Sequence, residues 1–536
     1  MRMKQRAVSH IGVIGAGMAG LVASMQLARL GHSVQLIERA KYPGGTAGYY
    51  VREGVEYPTG ATISFGMEPG GPLRALLEDV GVHLPSLAME HSMDVVLMDR
   101  VVHVYSDRVR WMEELRRAFP ERAVEVVEFW KRLERTARAV YLVSKSYASL
   151  PIRTATDLGR LPSTVLHHPR LFLSSVPEMR STVEAMLQKY RLKDYDPFCR
   201  FLNAQLLDAA QVDISHAAWL PSAVALDIYR YGTHVVAGGF TAIAQALLQQ
   251  ARALGVQVWM SHTVVGADYD SAAKKWRLLS NRRMQLEVDA VINATGRAIP
   301  TSHADHAAAN HFDSAVEALE ARSVGPRWGA VRLDALVSSQ WLRSLDLPVD
   351  ASIYPFAFQL ANDEEMGTLL EDPDGAVYVT LHPRKECQRA ALERREPVSP
   401  CQPEDGQVVT VSVHTPALGW ISLDKDTYQL KKAAVARALM HRLEKVLPGF
   451  VANARVRRMG TPLTYQRYLN KAEVGGHPLT VKASLVTPRG ARTERPQWYL
   501  AGDTVFPGPG TLSAAMSGLY AARAIDGRAG RTIPVL

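Results

Sequence analysis

His10-Ile11-Gly12-Val13-Ile14-Gly15-Ala16-Gly17-Met18-Ala19-Gly20, read with the residues that follow, decides the fold class of this 536-residue chain. His10 to Ile14 has the composition of a short buried strand, entered from a basic, polar N-terminus. The Gly-x-Gly-x-x-Gly run then opens a helical pattern from Leu21 to Leu30, which breaks at Gly31-His32. A second apolar strand, Ser33 to Ile37, ends in Glu38. Strand, turn, helix, strand and acid stand in the order of a Rossmann-type dinucleotide unit. Gly15 permits the tight turn, Gly17 lets the backbone approach a pyrophosphate, and Gly20, next to Ala19, lets the helix pack closely on the strand. The helix N-terminus offers free N–H groups and the positive end of its dipole to phosphate. Glu38 is placed to accept hydrogen bonds from a ribose hydroxyl, and a carboxylate there disfavours the 2′-phosphate of NADP. The plain alternative is a parallel βαβ unit without a ligand. The fingerprint alone leaves NAD and FAD open.

Further segments continue the pattern. Glu38-Arg39 is followed by Pro43-Gly44-Gly45-Thr46, by Gly48, and by Gly60-Ala61-Thr62. Val291-Ile292-Asn293 reads as a strand ending in Ala294-Thr295-Gly296. Trp498 to Ala501 reads as another, ending in Gly502-Asp503, and Pro507-Gly508-Pro509-Gly510-Thr511 opens a helix from about Leu512 to Ile525. Together these segments resemble the large flavoprotein family of amine oxidases, phytoene desaturases, carotenoid isomerases and retinol saturases. Val236-Ala237-Gly238-Gly239-Phe240, with the helix-like Thr241 to Leu254, resembles the segment by which that family re-enters its FAD domain. Ser412-Val413-His414-Thr415-Pro416 and Gly460-Thr461-Pro462-Leu463-Thr464-Tyr465, with Arg467-Tyr468, resemble the desaturase, isomerase and saturase branch. The resemblance covers nearly the full chain, strongest at its two ends and weakest between about 90 and 225.

The resemblance implies FAD as cofactor and an α/β fold. The expected architecture is a glutathione reductase-like FAD domain of p-hydroxybenzoate hydroxylase-like topology, a mixed β-sheet substrate domain and a helical insert. It assigns Gly502 and Asp503 to the FAD phosphate and ribityl chain, and Gly510, Thr511 and Leu512 to the flavin ring. The backbone of Val264 is assigned to the adenine. Gly15, Gly17, Ala19, Gly20, Glu38 and Arg39 form the remaining cofactor set at the N-terminus, with Gly45, Thr46, Gly60, Ala61 and Thr62 after them. Ala294, Thr295 and Gly296 complete it. Thr46 departs from the family, which often has Arg or Lys there. The implied activity is an FAD-dependent oxidoreductase acting on carbon–carbon bonds of a long apolar molecule (a carotenoid, retinoid or unsaturated lipid) by desaturation, saturation or isomerisation. An amine oxidase is the competing enzyme class. A flavin-free binding protein like the GDP-dissociation inhibitors is the non-enzymatic alternative; the intact turn, Glu38 and Gly502-Asp503 argue against it.

Flavin carries the difficult step in such chemistry, and the protein orients substrate and tunes charge. No nucleophile elbow, metal-spaced histidines or paired carboxylate motif stands in the sequence, and no metal is expected. Tyr465, Tyr468 and His414 are the polar candidates for catalysis; the bland readings are strand packing for the tyrosines and a satisfied core position for His414. His167-His168 reads as a surface loop.

Cofactor segments at both ends and in the middle make the FAD domain discontinuous, at 1–90, 225–300 and 455–536. Residues 91–224 form the helical insert and 301–454 the substrate domain. Helical spacing is seen in Trp111, Leu115 and Phe119, then in Val124, Val127, Phe129 and Leu133. Strand-like pieces follow at Ala376 to Leu381 and Val408 to Val413. The composition is that of an ordinary globular protein, 47% hydrophobic and 21% charged, which excludes disorder and fibrous repeats. The net charge of +9 comes with no nucleic-acid-binding motif, so no nucleic-acid partner is expected. Leu161 to Leu173, with Arg153, Arg160, Arg170 and Arg180 in or near it, has two readings: a patch that docks on anionic lipid, or an ordinary helical cap over the substrate tunnel with its arginines in water. Cys199, Cys387 and Cys401 have no CxxC spacing and read as structural thiols. With no apolar run of about 18 residues, a cytoplasmic protein is expected, with peripheral membrane association left open. The sequence leaves the oligomeric state open.

Overall fold

The computed structural model describes residues 8–61, 63–149, 151, 169–173, 175–300, 327–349, 354–384 and 406–533. Its first sheet grows from the fingerprint. The strands His10–Ile14 and Ser33–Ile37 pair in parallel, Val13 opposite Leu36, and the helix Met18–Arg29 crosses over between them. Gln257–Trp259 extends the sheet beyond Ser33–Ile37, while Ala290–Asn293 and then Trp498–Leu500 extend it on the other side. All four pairings are parallel. The expected strands and acid of the dinucleotide unit thus stand in one sheet.

The Met18–Arg29 helix is buried from Met18 to Leu27 on nearly every face. The helices Gly239–Ala253 and Thr511–Ile525 pack against it, and the sheet lies beneath. Burial of each large aliphatic side chain there contributes about 1.5–3 kcal/mol, so tertiary packing rather than helix propensity holds it. Gly20 makes the close approach possible: a Cβ at this position would fall on the Gly15 carbonyl oxygen. A three-stranded antiparallel sheet, Val264–Asp270, Lys275–Ser280 and Gln285–Val288, covers one side, with Leu278 and Val288 filling the space a side chain on Gly12 would need.

A second, seven-stranded mixed sheet has the order 454–460, 328–338, 406–416, 376–381, 356–361, 91–96, 101–105. Two features move the expected boundaries. His91–Val96 and Val101–Tyr105, placed by sequence in the helical insert, form the sheet's outer hairpin, joined in parallel to Phe356–Ala361. Ala454–Gly460, placed in the FAD domain, closes the opposite edge on Trp328–Ser338. One face of this sheet is apolar. Val331, Leu333, Val377, Val379, Val409 and Val411 are fully or almost fully buried there with Val435, Leu439 and Leu443 of the helix Lys425–Val446. The opposite face looks toward the first sheet and the insert.

The insert is helical as expected. Arg108–Ala118, Ala123–Lys145, Asp196–Ala210 and Trp219–Asp227 surround a core of Trp111, Phe129, Trp130, Phe198, Phe201 and Trp219. Trp111, Leu115, Phe119, Val127, Phe129 and Leu133 point inward, whereas Val124 is 74% exposed and Val126 takes the inward position. Val124 lies in the first turn, ahead of the stripe that the rest of the helix buries. The segment 152–168, which contains most of the expected docking region and His167-His168, lies outside the described residues, as do Cys387 and Cys401. Cys199 is buried, and burial pushes its thiol up to about 11, which keeps it protonated and unreactive. Among the described residues, no helix is long and apolar enough to cross a membrane.

Candidate cofactor and substrate site

A cavity of about 670 Å³ runs from the fingerprint turn to the polar face of the seven-stranded sheet. This volume falls within the roughly 300–1,000 Å³ typical of small-molecule sites. Its first end is lined by backbone. Gly17 caps the Met18–Arg29 helix in extended conformation (φ −73°) with no side-chain cap and no acidic residue in the first turn. A Cβ on Gly17 would meet nothing within 4 Å, so the free N–H groups of the helix face open space. The Pro43-Gly44-Gly45 loop closes over the turn: Gly44 N–H donates to the Ala16 carbonyl at 2.8 Å, with Gly44 itself left-handed at φ +104°. Thr46 follows in a 3₁₀ turn, its carbonyl packed under Gly60, and Ala61 beside it.

Glu38 sits beyond the second strand. Its two carboxylate oxygens accept from Ala16 N–H and Ala40 N–H, each at 2.6 Å. Burial raises its pKa, opposed by those backbone N–H groups and by Arg39. Each oxygen keeps lone pairs for a ribose. Arg39 also lines the cavity and donates to the Arg467 carbonyl at 2.7 Å, tying the turn to the C-terminal segment. Val264, with His262 and Thr263, borders this end. Ala294 N–H donates to the Ile14 carbonyl at 2.9 Å, and Thr295 lies beside it.

The C-terminal segment supplies the opposite wall. Gly502 is left-handed (φ +116°), and its N–H donates to Ser517 Oγ at 2.8 Å. Asp503 pairs with Lys471 at 3.1 Å, both facing the cavity. Gly510 begins the helix Thr511–Ile525, again without a side-chain cap or first-turn acid, and Thr511 and Leu512 line the space beside it. Two uncapped helix N-termini and a half-buried carboxylate along one cleft suit an elongated dinucleotide. Of the expected cofactor residues, Gly20 and Gly296 stand behind this lining: Gly20 serves helix packing, and Gly296 turns the backbone at φ +69° against Thr504. Thr62 lies outside the described residues.

The three catalytic candidates separate. Tyr465 is on a short helix, Pro462–Leu469, rather than a strand; it lines the cavity with its hydroxyl 3.4 Å from the Thr59 carbonyl, and burial raises its pKa. Tyr468, on the same helix, is 64% exposed at the rim. His414 lies in the cavity wall, edge-on to Trp328 and Tyr378, and burial lowers its pKa to about 4. It is therefore neutral near pH 7 and holds no imidazolium for proton delivery.

Sequence reasoning missed the polar floor. Gln359, Tyr378, Ser412 and Arg332 stand directly opposite one another across four strands, and all four line the cavity. A neighbouring row holds Thr380, Thr410 and Asp334. Arg332 donates to Asp334 at 2.7 Å, and the Tyr50 hydroxyl donates to the same carboxylate at 2.6 Å. Arg332 keeps its charge because Asp334 offsets the burial that would lower its pKa. Above the floor, Gln205 and Asp208 project from the helix Asp196–Ala210, one turn apart on one face. Away from the cavity, Asp94 Oδ1 lies 2.7 Å from His91 Nε2 and 2.6 Å from His103 Nδ1, a cluster made by strand pairing with no sequence spacing to announce it.

Residues 13–80 match the model of an NAD(P)-binding Rossmann-like domain. The prolycopene isomerase of Daucus carota is 23% identical over 543 aligned residues, which cover 96% of this chain and 79% of the carrot protein. Over nearly its whole length the chain is similar to members of the flavoprotein family of phytoene desaturases, carotenoid isomerases and retinol saturases. The 4,4′-diapophytoene desaturase of Staphylococcus haemolyticus is 24% identical over 263 residues, 47% of this chain and 48% of that protein. Among solved structures, the cyclohexylamine oxidase of Brevibacterium oxydans superposes with a TM-score of 0.56 at 14% identity, covering 98% of this chain and 99% of that one. The last likeness is one of fold.

Proposed function

We propose that this protein binds FAD along the cleft between Gly17 and Gly510 and uses it on carbon–carbon bonds of a long apolar molecule, a carotenoid, retinoid or unsaturated lipid. Bound flavin takes or gives a hydride; removal of hydride from an allylic position needs little acid–base help because the polyene spreads the charge. The residues present bind, orient and exclude water. The uncapped helix at Gly17 holds the diphosphate, Glu38 the adenosine ribose, and the backbone of Val264 the adenine. Asp503 holds the ribityl chain with Lys471 beside it, and Lys471 supplies the cation that Thr46 does not. The helix beginning at Gly510 stabilises negative charge on the reduced ring. The supporting observation is one continuous cavity joining the dinucleotide turn to a sheet face, in a chain 96% of which aligns with a prolycopene isomerase.

The test is spectroscopic and chemical. The purified protein shows a flavin band near 450 nm, and anaerobic incubation with polyenes of graded saturation bleaches it or changes the polyene. A protein that stays colourless after incubation with FAD, or that turns over amines with release of peroxide and leaves polyenes untouched, would end this reading. We further propose shallow contact with anionic membrane. Beside the short helix Pro169–Leu173, the side chains of Leu173, Val176 and Met179 are 69%, 56% and 44% exposed, next to exposed Arg170 and Arg180. Co-sedimentation with vesicles containing phosphatidylglycerol, and not with neutral ones, is the expected result.

A further inference from the structure

The proposed substrate is apolar, yet part of the cavity that would receive it is not. Asp208 carries its carboxyl into the cavity with no hydrogen bond or ion pair among the described residues. The side chain is open to the cavity while enclosed by protein, and burial raises its pKa to about 6. It lies near enough to Tyr229 and Tyr378 to raise the pKa of both. One turn earlier, Gln205 is 4% exposed and lines the cavity, with neither its amide nitrogen nor its oxygen bonded. Across from them, Gln359 is 3% exposed, with its amide oxygen unbonded. Tyr378 is directly opposite Gln359 in the sheet, and its hydroxyl donates to the Ala204 carbonyl, which pins the helix of Gln205 and Asp208 over the polar row.

Buried polar groups are almost always satisfied, and a group left without a partner calls for an explanation. Gln205 and Gln359, on two separate elements, are such groups, and Asp208, on the same helix as Gln205 and exposed to the cavity, adds an unpaired carboxylate. The missing partner must donate to the carboxylate or to an amide oxygen, and must also accept from the Gln205 amide N–H. A hydrocarbon does neither. An ammonium only donates. A carboxylate only accepts and meets Asp208 as a like charge. A hydroxyl does both.

We propose that Asp208 and Gln205, with Gln359 opposite, form a clamp for a hydroxyl group, so that the preferred substrate is a long apolar molecule bearing an alcohol. The inference rests on the apolar-substrate reading above and narrows it. It is a binding role, separate from the hydride step and from the dinucleotide end of the cavity.

The experiment uses the flavin-loaded protein and four C20 isoprenoids of one skeleton in mild detergent: geranylgeraniol, geranylgeranylamine, geranylgeranoic acid and the corresponding hydrocarbon. Binding is read from the perturbation of the bound flavin spectrum. The alcohol is expected to bind at least tenfold more tightly than the other three. Asp208→Ala and, separately, the near-isosteric Gln205→Leu should each erase most of that advantage, with flavin content and thermal melting held at parental values as the check on folding. The clamp is overturned if the hydrocarbon matches the alcohol, if the amine or acid binds best, or if both variants keep the full preference for alcohol. If none of the four binds to protein that retains its flavin, the apolar-substrate reading falls as well, which separates the two failures.

Discussion

The two ends of the cavity are built by different means. At the dinucleotide end the contacts come from main chain: Gly17 exposes helix N–H groups, Gly44 closes a loop over them, and Gly502 turns a strand into the last helix. At the far end they come from side chains: Gln359, Tyr378, Ser412 and Arg332, brought into line by strands 332 to 412 residues along the chain. Backbone contacts need small residues at fixed local offsets and tolerate little else. Side-chain contacts need only register, and any polar residue at the right rung serves. The first end is therefore constrained by geometry and the second is free to set specificity.

The largest effect separates two glycines three residues apart. Gly20→Val drives a side chain into the Gly15 carbonyl oxygen and should cost at least about 3 kcal/mol, leaving little folded protein by circular dichroism. Gly17→Val enters open space at a φ any residue adopts, so the fold should survive within about 0.5 kcal/mol while the 450-nm band disappears. Equal flavin retention in both variants would break the distinction between packing glycine and ligand glycine.

At the other end, Arg332→Met removes one partner of a buried pair and leaves Asp334 facing only Tyr50. A loss of about 3–5 kcal/mol in urea unfolding is expected, with flavin affinity of the surviving folded protein unchanged. A flavin defect larger than the stability defect would place Arg332 with the cofactor instead.

Acid should expose the floor before the turn. His414 is neutral when folded, with its pKa lowered to about 4 by burial. Above about pH 6.5 it is neutral in both states and contributes no pH dependence. Below that, the unfolded chain takes up a proton the folded one refuses, so stability falls as pH drops toward 4, by about 1.4 kcal/mol per unit. His382, hydrogen-bonded to Thr410 and lowered to about 3, acts in the same direction. His414→Gln should flatten the pH 4–6.5 limb of the stability profile; an unchanged limb would show that other groups control it. The smallest effect is expected of Tyr468→Phe, whose side chain is mostly in solvent. Turnover within about twofold of the parent corresponds to less than about 0.5 kcal/mol, and a larger fall would return Tyr468 to the reaction.

This contrast also explains what could be read without coordinates. The strand at His10–Ile14, the turn at Gly15–Gly20, Glu38 and the Gly502-Asp503 strand end were legible because their roles depend on neighbours within a few residues. The two edge assignments failed for the opposite reason. His91–Val96 looks like the start of the insert until Phe356–Ala361, more than 250 residues away, accepts it as a strand. Asp208 carried no signal at all, because a lone carboxylate in a helix reads as a solvated face. The bland reading of Tyr465 put it on a strand, but the Thr461-Pro462 pair starts a helix, with the Thr461 and Thr464 side chains capping each other's backbone.

The ladder that aligns Gln359 with Tyr378, Ser412 and Arg332 has a consequence for how such proteins diverge. Adjacent side chains in a strand point to opposite faces, so one inserted or deleted residue would carry a whole rung series into the valine-rich layer beneath. New preferences in this cavity must therefore arise by exchange of residues in place, with strand lengths preserved.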